Sequence, residues 1–474
     1  MASESQTLIQ QTKYNTSTLW LICLVAAMGG FLFGYDWVVV GGAKPFYEPY
    51  FNLSTAGEKG WGTSSALVGC IVGAFLCYIY SDRYGRKRLL IVAGLLFTVS
   101  AIGTALTETF VAYNIWRIVG GFGIGIALNL SPMYIAEMSP PEMRGKFVSV
   151  NQLMIMIGIL AAQVANWQIS LLDTDMPATA SAEVIRQSWN GQVGWRWMFG
   201  LEAFPALLFF VLMMIMPESA RWLVKNGQHR KAQRILEKIG GSDYAAREIN
   251  SIKSTMSDDD ISKVNFRALL EPGLFRILML GFFLAFLQQW CGMNVIFYYA
   301  ADIFLAAGYD IKQMMLQIVV IGSVMVVSVI ITILLVDRYG RKALMLLGTG
   351  TLALIYIIEG YFFQLGVQGA PIVILTLLSV AIYSFTLAPV VWVILSEIFP
   401  NRIRGAAMSL SAMALWVGNF SLTFTFPWIM ETLGWSMNFW LYALICVGGF
   451  IIIYFKLPET KGKSLENIQR ELGL

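Results

Sequence analysis

Two groups of polar residues stand inside otherwise apolar stretches of this sequence. Gln288, Gln289 and Asn294 sit at i, i+1 and i+6 of one apolar run, within two turns of each other on a helix. Amides offer paired donors and acceptors, so such a set suits a neutral ligand rich in hydroxyls. It equally suits hydrogen bonding between membrane helices, and spacing alone leaves both readings open. The second group is ionic: Asp36, Arg117 and Glu202 each interrupt an apolar segment. Ionisable groups at membrane depth are costly and mark functional positions by default. An arginine beside Asp36 favours the carboxylate and burial favours the acid, so its protonation state can change when one helix moves. A static ion pair holding helices together is the structural alternative. The sole histidine, His229, lies in a hydrophilic stretch, so any proton transfer falls to a carboxylate.

The elements that must carry these residues are membrane helices. Only 13% of the 474 residues are charged, 57% are hydrophobic and the mean hydropathy is +0.65, against about 25% charged in a soluble chain. Twelve apolar segments are long enough to span: 19–40, 61–81, 88–107, 111–134, 147–167, 195–216, 275–300, 313–336, 343–364, 370–395, 406–428 and 436–456. Each is expected to be helical, since a lipid-exposed backbone must satisfy its own hydrogen bonds. The fold class expected is an all-α membrane protein of two pseudo-symmetric six-helix bundles, 19–216 and 275–456. A segment 1–18, a linker 217–274 with short helices and a tail 457–474 accompany them.

Basic residues collect after segments 2, 4, 8 and 10, whereas the alternate loops are nearly free of them. The positive-inside rule then makes the basic loops cytoplasmic and leaves both termini inside. The net charge of +4 is topology rather than a nucleic-acid footprint. The five cysteines lie in apolar runs without metal or disulfide spacing, and the polar N-terminal stretch lacks the pattern of a secretory signal. No nucleotide loop or H-E-x-x-H zinc motif occurs, so an enzyme or an ATP-driven pump is not expected, nor a metal or cofactor.

The chain also repeats itself. Asp82-Arg-Tyr-Gly-Arg-Lys87 recurs as Asp337-Arg-Tyr-Gly-Arg-Lys342, Glu137…Arg144-Gly is echoed by Glu397…Arg404-Gly, and Pro217-Glu-Ser by Pro458-Glu-Thr. Three ordered echoes imply parallel repeats, with a binding site expected near the midplane between them. The charges at these helix ends, Asp82, Arg83, Arg86, Glu137 and Arg144 with Asp337, Arg338, Arg341, Glu397 and Arg404, can serve topology, which accounts for the basic members but not for Glu137 and Glu397.

With Gly34-Tyr35-Asp36, Pro217-Glu-Ser-Ala-Arg-Trp222, Gln288-Gln289-Trp-Cys-Gly292-Met-Asn294, Pro389-Val-Val-Trp392 and Pro458-Glu-Thr-Lys-Gly462, the pattern resembles the sugar porter family of the major facilitator superfamily, from about Gly29 to Leu465. The resemblance implies transport of a monosaccharide, with proton-coupled xylose symporters and glucose facilitators the nearest patterns. It implies that Gln163, Gln288, Gln289, Asn294, Tyr298, Trp392, Trp416 and Asn419 line the sugar, that Asp36 and Arg117 with Glu202 couple a proton, and that the helix-end charges latch the halves when the site opens outward. Met325 and Leu415 stand where relatives carry amides, which suits a substrate with fewer hydroxyls. Proton symport, with the sugar and the proton as partners of a monomer in the cell membrane, is the expectation. A facilitative uniporter is the alternative, and a sugar sensor is disfavoured by the short tail. Glu359 is left without a role.

Overall fold

The structure is a computed structural model that describes residues 14–174, 181–259, 271–400, 404–461 and 463; side chains 255–259, 272, 333–339 and 404–406 are not among those described. Helices α1 (Thr16–Phe51), α2 (Ala56–Tyr84), α3 (Arg86–Leu106), α4 (Phe110–Met138) and α5 (Pro141–Ser170) follow one another through short turns. Their starts are written locally. Asn15 accepts from Thr18 N at 3.1 Å, and Thr55 with Glu58 forms a capping box. The step from α2 to α3 is the single residue Gly85, at φ 91°, and the repeated motif turns α14 (Ile311–Tyr339) into α15 (Arg341–Gln364) at Gly340, φ 89°. A β-carbon is disfavoured at both.

The sixth crossing is composite. After α6 (Ala182–Gln187), a π-helical turn at Asn190–Gly194 leads into α7 (Trp195–Gly200) and α8 (Ala203–Ile215). The linker forms α9 (Ala220–Lys225) and α10 (His229–Asp259), which is kinked at Gly241. The seventh segment is not the continuous helix expected over 275–300. It breaks into α11 (Pro272–Trp290), α12 (Met293–Tyr298) and α13 (Ala300–Ala306), because Gly292 takes φ 90° and Tyr299 leaves helical geometry. The tenth is likewise split, α16 (Ala370–Phe385) from α17 (Leu387–Ile398), at Thr386.

The last helix, α18 (Arg404–Lys456), has 53 residues, about 80 Å at 1.5 Å per residue and far beyond a hydrocarbon core of about 30 Å. It is two crossings joined at Gly434, where φ is 72°. Trp290 Nε1 donates to Ser421, while Leu287, one turn earlier on α11, packs at Gly449. One turn of α11 can touch both only if α18 folds back at Gly434. Among the described residues, eleven helices are long and apolar enough to cross a membrane, and they therefore give twelve spans, as the sequence implied.

Within the first half, small residues bring backbones together. Gly69 lies on the carbonyl of Ile118 and Gly121 on that of Ala66, joining α2 to α4, and Gly158 meets Phe31 across α1 and α5. Membrane helices gain little from apolar burial against one another, so this close van der Waals approach is what holds the bundle.

Candidate functional site

Asp36 is the 21st residue of α1, and Arg117 lies two turns into α4. Both side chains are buried, and Arg117 Nη1 donates to Asp36 Oδ1 while Nη2 reaches the Asp36 carbonyl at 3.4 Å. The guanidinium also lies over the Phe199 ring, 5.2 Å from its centroid. Asp36 Oδ2 has no hydrogen-bond partner among the described residues. Glu202, at the N-cap of α8, is buried in the same neighbourhood and makes no ion pair with Arg117 here. The three ionic residues are thus brought together, with only Asp36 and Arg117 bonded.

A small cavity opens beside that pair. Phe33, Asp36 and Trp37 of α1, Thr63 and Cys70 of α2 and Arg117 of α4 form one wall, and Tyr298 of α12 and Trp416 of α18 form the other. Phe33 stacks on Trp37 at 5.6 Å and meets the Trp416 ring edge-on at 6.3 Å; Trp37 meets Phe297 at 5.3 Å. The two halves therefore converge on the ionic pair through aromatic faces. Phe33, Trp37, Thr63 and Phe297 were missed in the sequence, although an i, i+4 aromatic pair flanking Asp36 was visible there.

The amides lie on α5, α11, α12 and α18, outside the lining of this cavity. Asn294 Nδ2 donates to Gln289 Oε1 at 2.5 Å, an approach made by the break at Gly292 and not by the uninterrupted helical spacing expected. Gln288 Nε2 donates to the carbonyls of Leu387 and Ala388, at 3.2 and 3.0 Å, just past the break at Thr386. Its Oε1 is left unpartnered among the described residues, as is Gln163 Oε1, which lies against Gly322 of α14 in the other half. Asn419 accepts from Thr423 at 3.1 Å and lies beside the Tyr298 hydroxyl. Trp392, on α17, is 37% exposed. Met325 and Leu415 are buried apolar positions.

On the side away from the basic loops the halves are shut. Lys44 of α1 is buried, donates to Asp302 of α13 at 2.5 Å, lies 3.4 Å from Glu48 and covers the Tyr299 ring at 4.5 Å. Tyr299 donates to the Thr423 carbonyl at 2.7 Å, and Gly60 of α2 meets the Phe424 carbonyl of α18. On the opposite side a cavity separates α2 and α4 from α18 at Cys77, Tyr78, Asn129, Ser409 and Met413.

The expected latch residues lie at that second side. Arg86 bonds Glu137 at 3.0 Å and Asp82 at 3.0 Å, Lys225 bonds Asp82 at 2.8 Å, and Arg341 reaches Glu397 at 3.2 Å. Each pair stays within its own half. Arg83 covers the ring of its neighbour Tyr84, and Arg144 is exposed. The side chains of Asp337, Arg338 and Arg404 lie outside those described. Glu218 and Glu459, from the Pro-Glu-Ser and Pro-Glu-Thr echoes, fill matching places beside Gly85 and Gly340. Glu218 accepts from the backbone of Arg86 and Lys87, and Glu459 from that of Arg341, Lys342, Thr460 and Lys461. Burial raises Glu459, but these four N–H donors outweigh it and hold its carboxyl below the usual range. Glu359, buried on α15, accepts from Thr376 at 2.7 Å.

Comparison with known proteins places this architecture. Residues 22–472 match the family model described as sugar (and other) transporter. The chain is 38% identical to the glucose transport protein of Synechocystis sp., with 97% of this chain and 98% of the relative covered. It is 35% identical to the D-xylose-proton symporter of Escherichia coli strain K12, over 97% and 96%, and to the arabinose-proton symporter of Bacillus subtilis strain 168, over 95% and 94%. Among solved structures, the inward open conformation of the E. coli xylose transporter XylE superposes with a TM-score of 0.82 at 33% identity, covering 96% of this chain and 99% of that one.

Proposed function

The chain belongs to the sugar (and other) transporter family, a family of multi-pass membrane transporters, and we propose that it carries a monosaccharide, a pentose or hexose, by proton symport with alternating access. One observation carries the reading: a single cavity between the halves touches both the Asp36 and Arg117 pair and the aromatic side chains of Tyr298 and Trp416. A site in which sugar and proton share walls lets each bias the same conformational equilibrium, which is what coupling requires. Relatives named as proton symporters for xylose and arabinose support it.

In this reading Gln163, Gln288, Gln289, Asn294 and Asn419 hydrogen-bond the sugar hydroxyls, and Tyr298, Trp392 and Trp416 cover its apolar face. Asp36 carries the proton on Oδ2, the oxygen that Arg117 leaves free. Glu202 competes for the guanidinium when the helices rock. Met325 and Leu415 favour a sugar with fewer hydroxyls. The basic loops face the cytoplasm, both termini lie inside, and the protein works as a monomer. The helix-end charges form the closed cytoplasmic latch of the outward-open state, and the arrangement described above is the released, inward-facing one.

The test is Asp36→Asn, which mimics the protonated form and cannot cycle. It is expected to abolish uphill sugar uptake driven by a pH gradient while leaving counterflow of labelled against unlabelled sugar intact. Gradient-driven accumulation by the variant would remove Asp36 from coupling. If the unaltered protein shows equal counterflow and no proton flux with sugar, the chain is a facilitative uniporter and the buried pair is static.

A further inference from the structure

The linker covers the membrane end of the first half in a way that leaves a second cavity, of about 580 Å³, between the first turn of α3, the end of α8 and the helices α9 and α10. Four cations border it: Lys87 and Arg88 from α3, and Lys231 and Arg234 from α10. The one carboxylate among its walls, Glu218, is turned away from them, with Oε1 accepting from the backbone N–H groups of Arg86, Lys87 and Ser219 at 2.8 to 3.0 Å. The Lys87 ammonium is held by an uncharged partner, the Met214 carbonyl, at 2.8 Å. Arg88, Lys231 and Arg234 are exposed. The cavity therefore keeps a net positive charge with little internal compensation.

Its other border is apolar and continuous with the lipid-facing surface. Met214 lines it, and Ile215 at the end of α8 and Val92 and Leu95 along α3 are 71%, 43% and 45% exposed. The second half provides an internal comparison. There Lys342 donates to the Tyr454 carbonyl at 2.8 Å and Glu459 receives the backbone of Arg341 and Lys342, the same frame, but Ala343 stands where the first repeat has Arg88. The turn geometry thus does not need the added cation.

We propose that this cavity is a binding site for an anionic phospholipid, the phosphate seated among Arg88, Lys231 and Arg234 and the acyl chains lying along α3 and α8. Basic pockets at the membrane surface attract anionic headgroups at about fivefold in affinity per cation, and arginine forks match phosphate oxygens. A lipid there ties α10 of the linker to the bundle, where no covalent or buried ionic link does so through these cations.

The full chain, purified from vesicles of equal phosphatidylcholine and phosphatidylglycerol, is examined by native mass spectrometry for retained lipid. Retention of phosphatidylglycerol over phosphatidylcholine is expected, and Arg88→Gln/Arg234→Gln is expected to weaken it by about thirtyfold. Lys231→Gln, a single change on the exposed face of α10, is expected to weaken it by about fivefold and serves if the double variant does not fold. Lys342→Gln, the same loss of charge on the second half, is expected to change nothing. Equal retention of the two lipids, or of phosphatidylglycerol by the wild type and the folded variants, overturns the proposal. Displacement of the lipid by millimolar inorganic phosphate, with phosphate itself bound, reassigns the site to a soluble anion and overturns it too.

Discussion

The ion pair between Lys44 and Asp302 joins the two halves at the closed face, so Asp302→Asn is expected to shift the protein toward opening on that side. Losing one partner of a buried pair costs about 3 to 5 kcal/mol when the other charge is left uncompensated. Two features reduce that figure here. Lys44 keeps Glu48 at 3.4 Å on its own helix, and the Asp302 side chain is 37% exposed, so part of its attraction is already screened. The change that remains is about 1 to 2 kcal/mol, or roughly 5- to 30-fold in the ratio of outward-open to inward-open forms. The Lys44 and Glu48 pair is internal to α1, so opening between the halves does not by itself separate it. Electron–electron distance measurements between a label on the α1–α2 turn and one on the α13–α14 turn should show a longer component growing by that factor. An unchanged distance distribution in Asp302→Asn would refute the idea that this pair distinguishes the states.

Gln288→Ala and Asn294→Ala are each expected to weaken sugar binding several-fold in calorimetry, because a lost hydrogen bond to a neutral partner costs about 0.5 to 1.5 kcal/mol; unchanged binding by both removes the seventh segment from the site. Glu397→Gln removes a carboxylate of the proposed latch and should deplete the state closed on the basic-loop side, read as a shift in distances between the α2 and α18 ends there; the bond to Arg341 that is lost with it lies within one half. For Glu459 the folded carboxyl lies below its unfolded value near 4.3, so its contribution is present above that pH and is lost as pH falls through the lower folded value. Glu459→Gln should accordingly lower the melting temperature at pH 7, and the difference from the wild type should shrink as the pH falls below about 4.3.

The spans and the ionic pair were legible because each violates its surroundings. Long apolar runs leave few alternatives to helix, and Asp36 and Arg117 are charges in segments that otherwise carry none. The repeated Asp-Arg-Tyr-Gly-Arg-Lys motif even encodes its turn, since only the glycine position adopts positive φ. The helix breaks were not read from the sequence. Gly292 is one of 43 glycines, most of which pack inside helices, whereas the break at Thr386 had a cue in Pro389, which has no N–H to give the Phe385 carbonyl. The contact between the halves at the closed face was hidden too. The first span was drawn over 19–40, yet α1 continues through Pro45 and Pro49 to Phe51 and so carries Lys44 to Asp302, 258 residues away. Local rules price a proline within one helix, whereas here packing between the halves outweighs the lost hydrogen bonds.

The two repeats share their scaffold and divide their chemistry. Glu218 and Glu459 receive the same backbone groups, Lys87 and Lys342 cap equivalent carbonyls, and Gly85 and Gly340 turn alike. The bonded charges of the core, Asp36 and Arg117, belong to the first half, and the amide cluster Gln288, Gln289 and Asn294 to the second. Asp36 and Arg117 line the cavity from the first half, and Tyr298 and Trp416 line it from the second. In the proposed mechanism proton and solute are therefore linked through the relative position of the halves. The breaks at Gly292 and Thr386 lie in the second half, where short helical pieces can move without displacing a whole span. In that mechanism proton affinity and solute affinity are functions of the same coordinate, and that is sufficient for one gradient to drive the other.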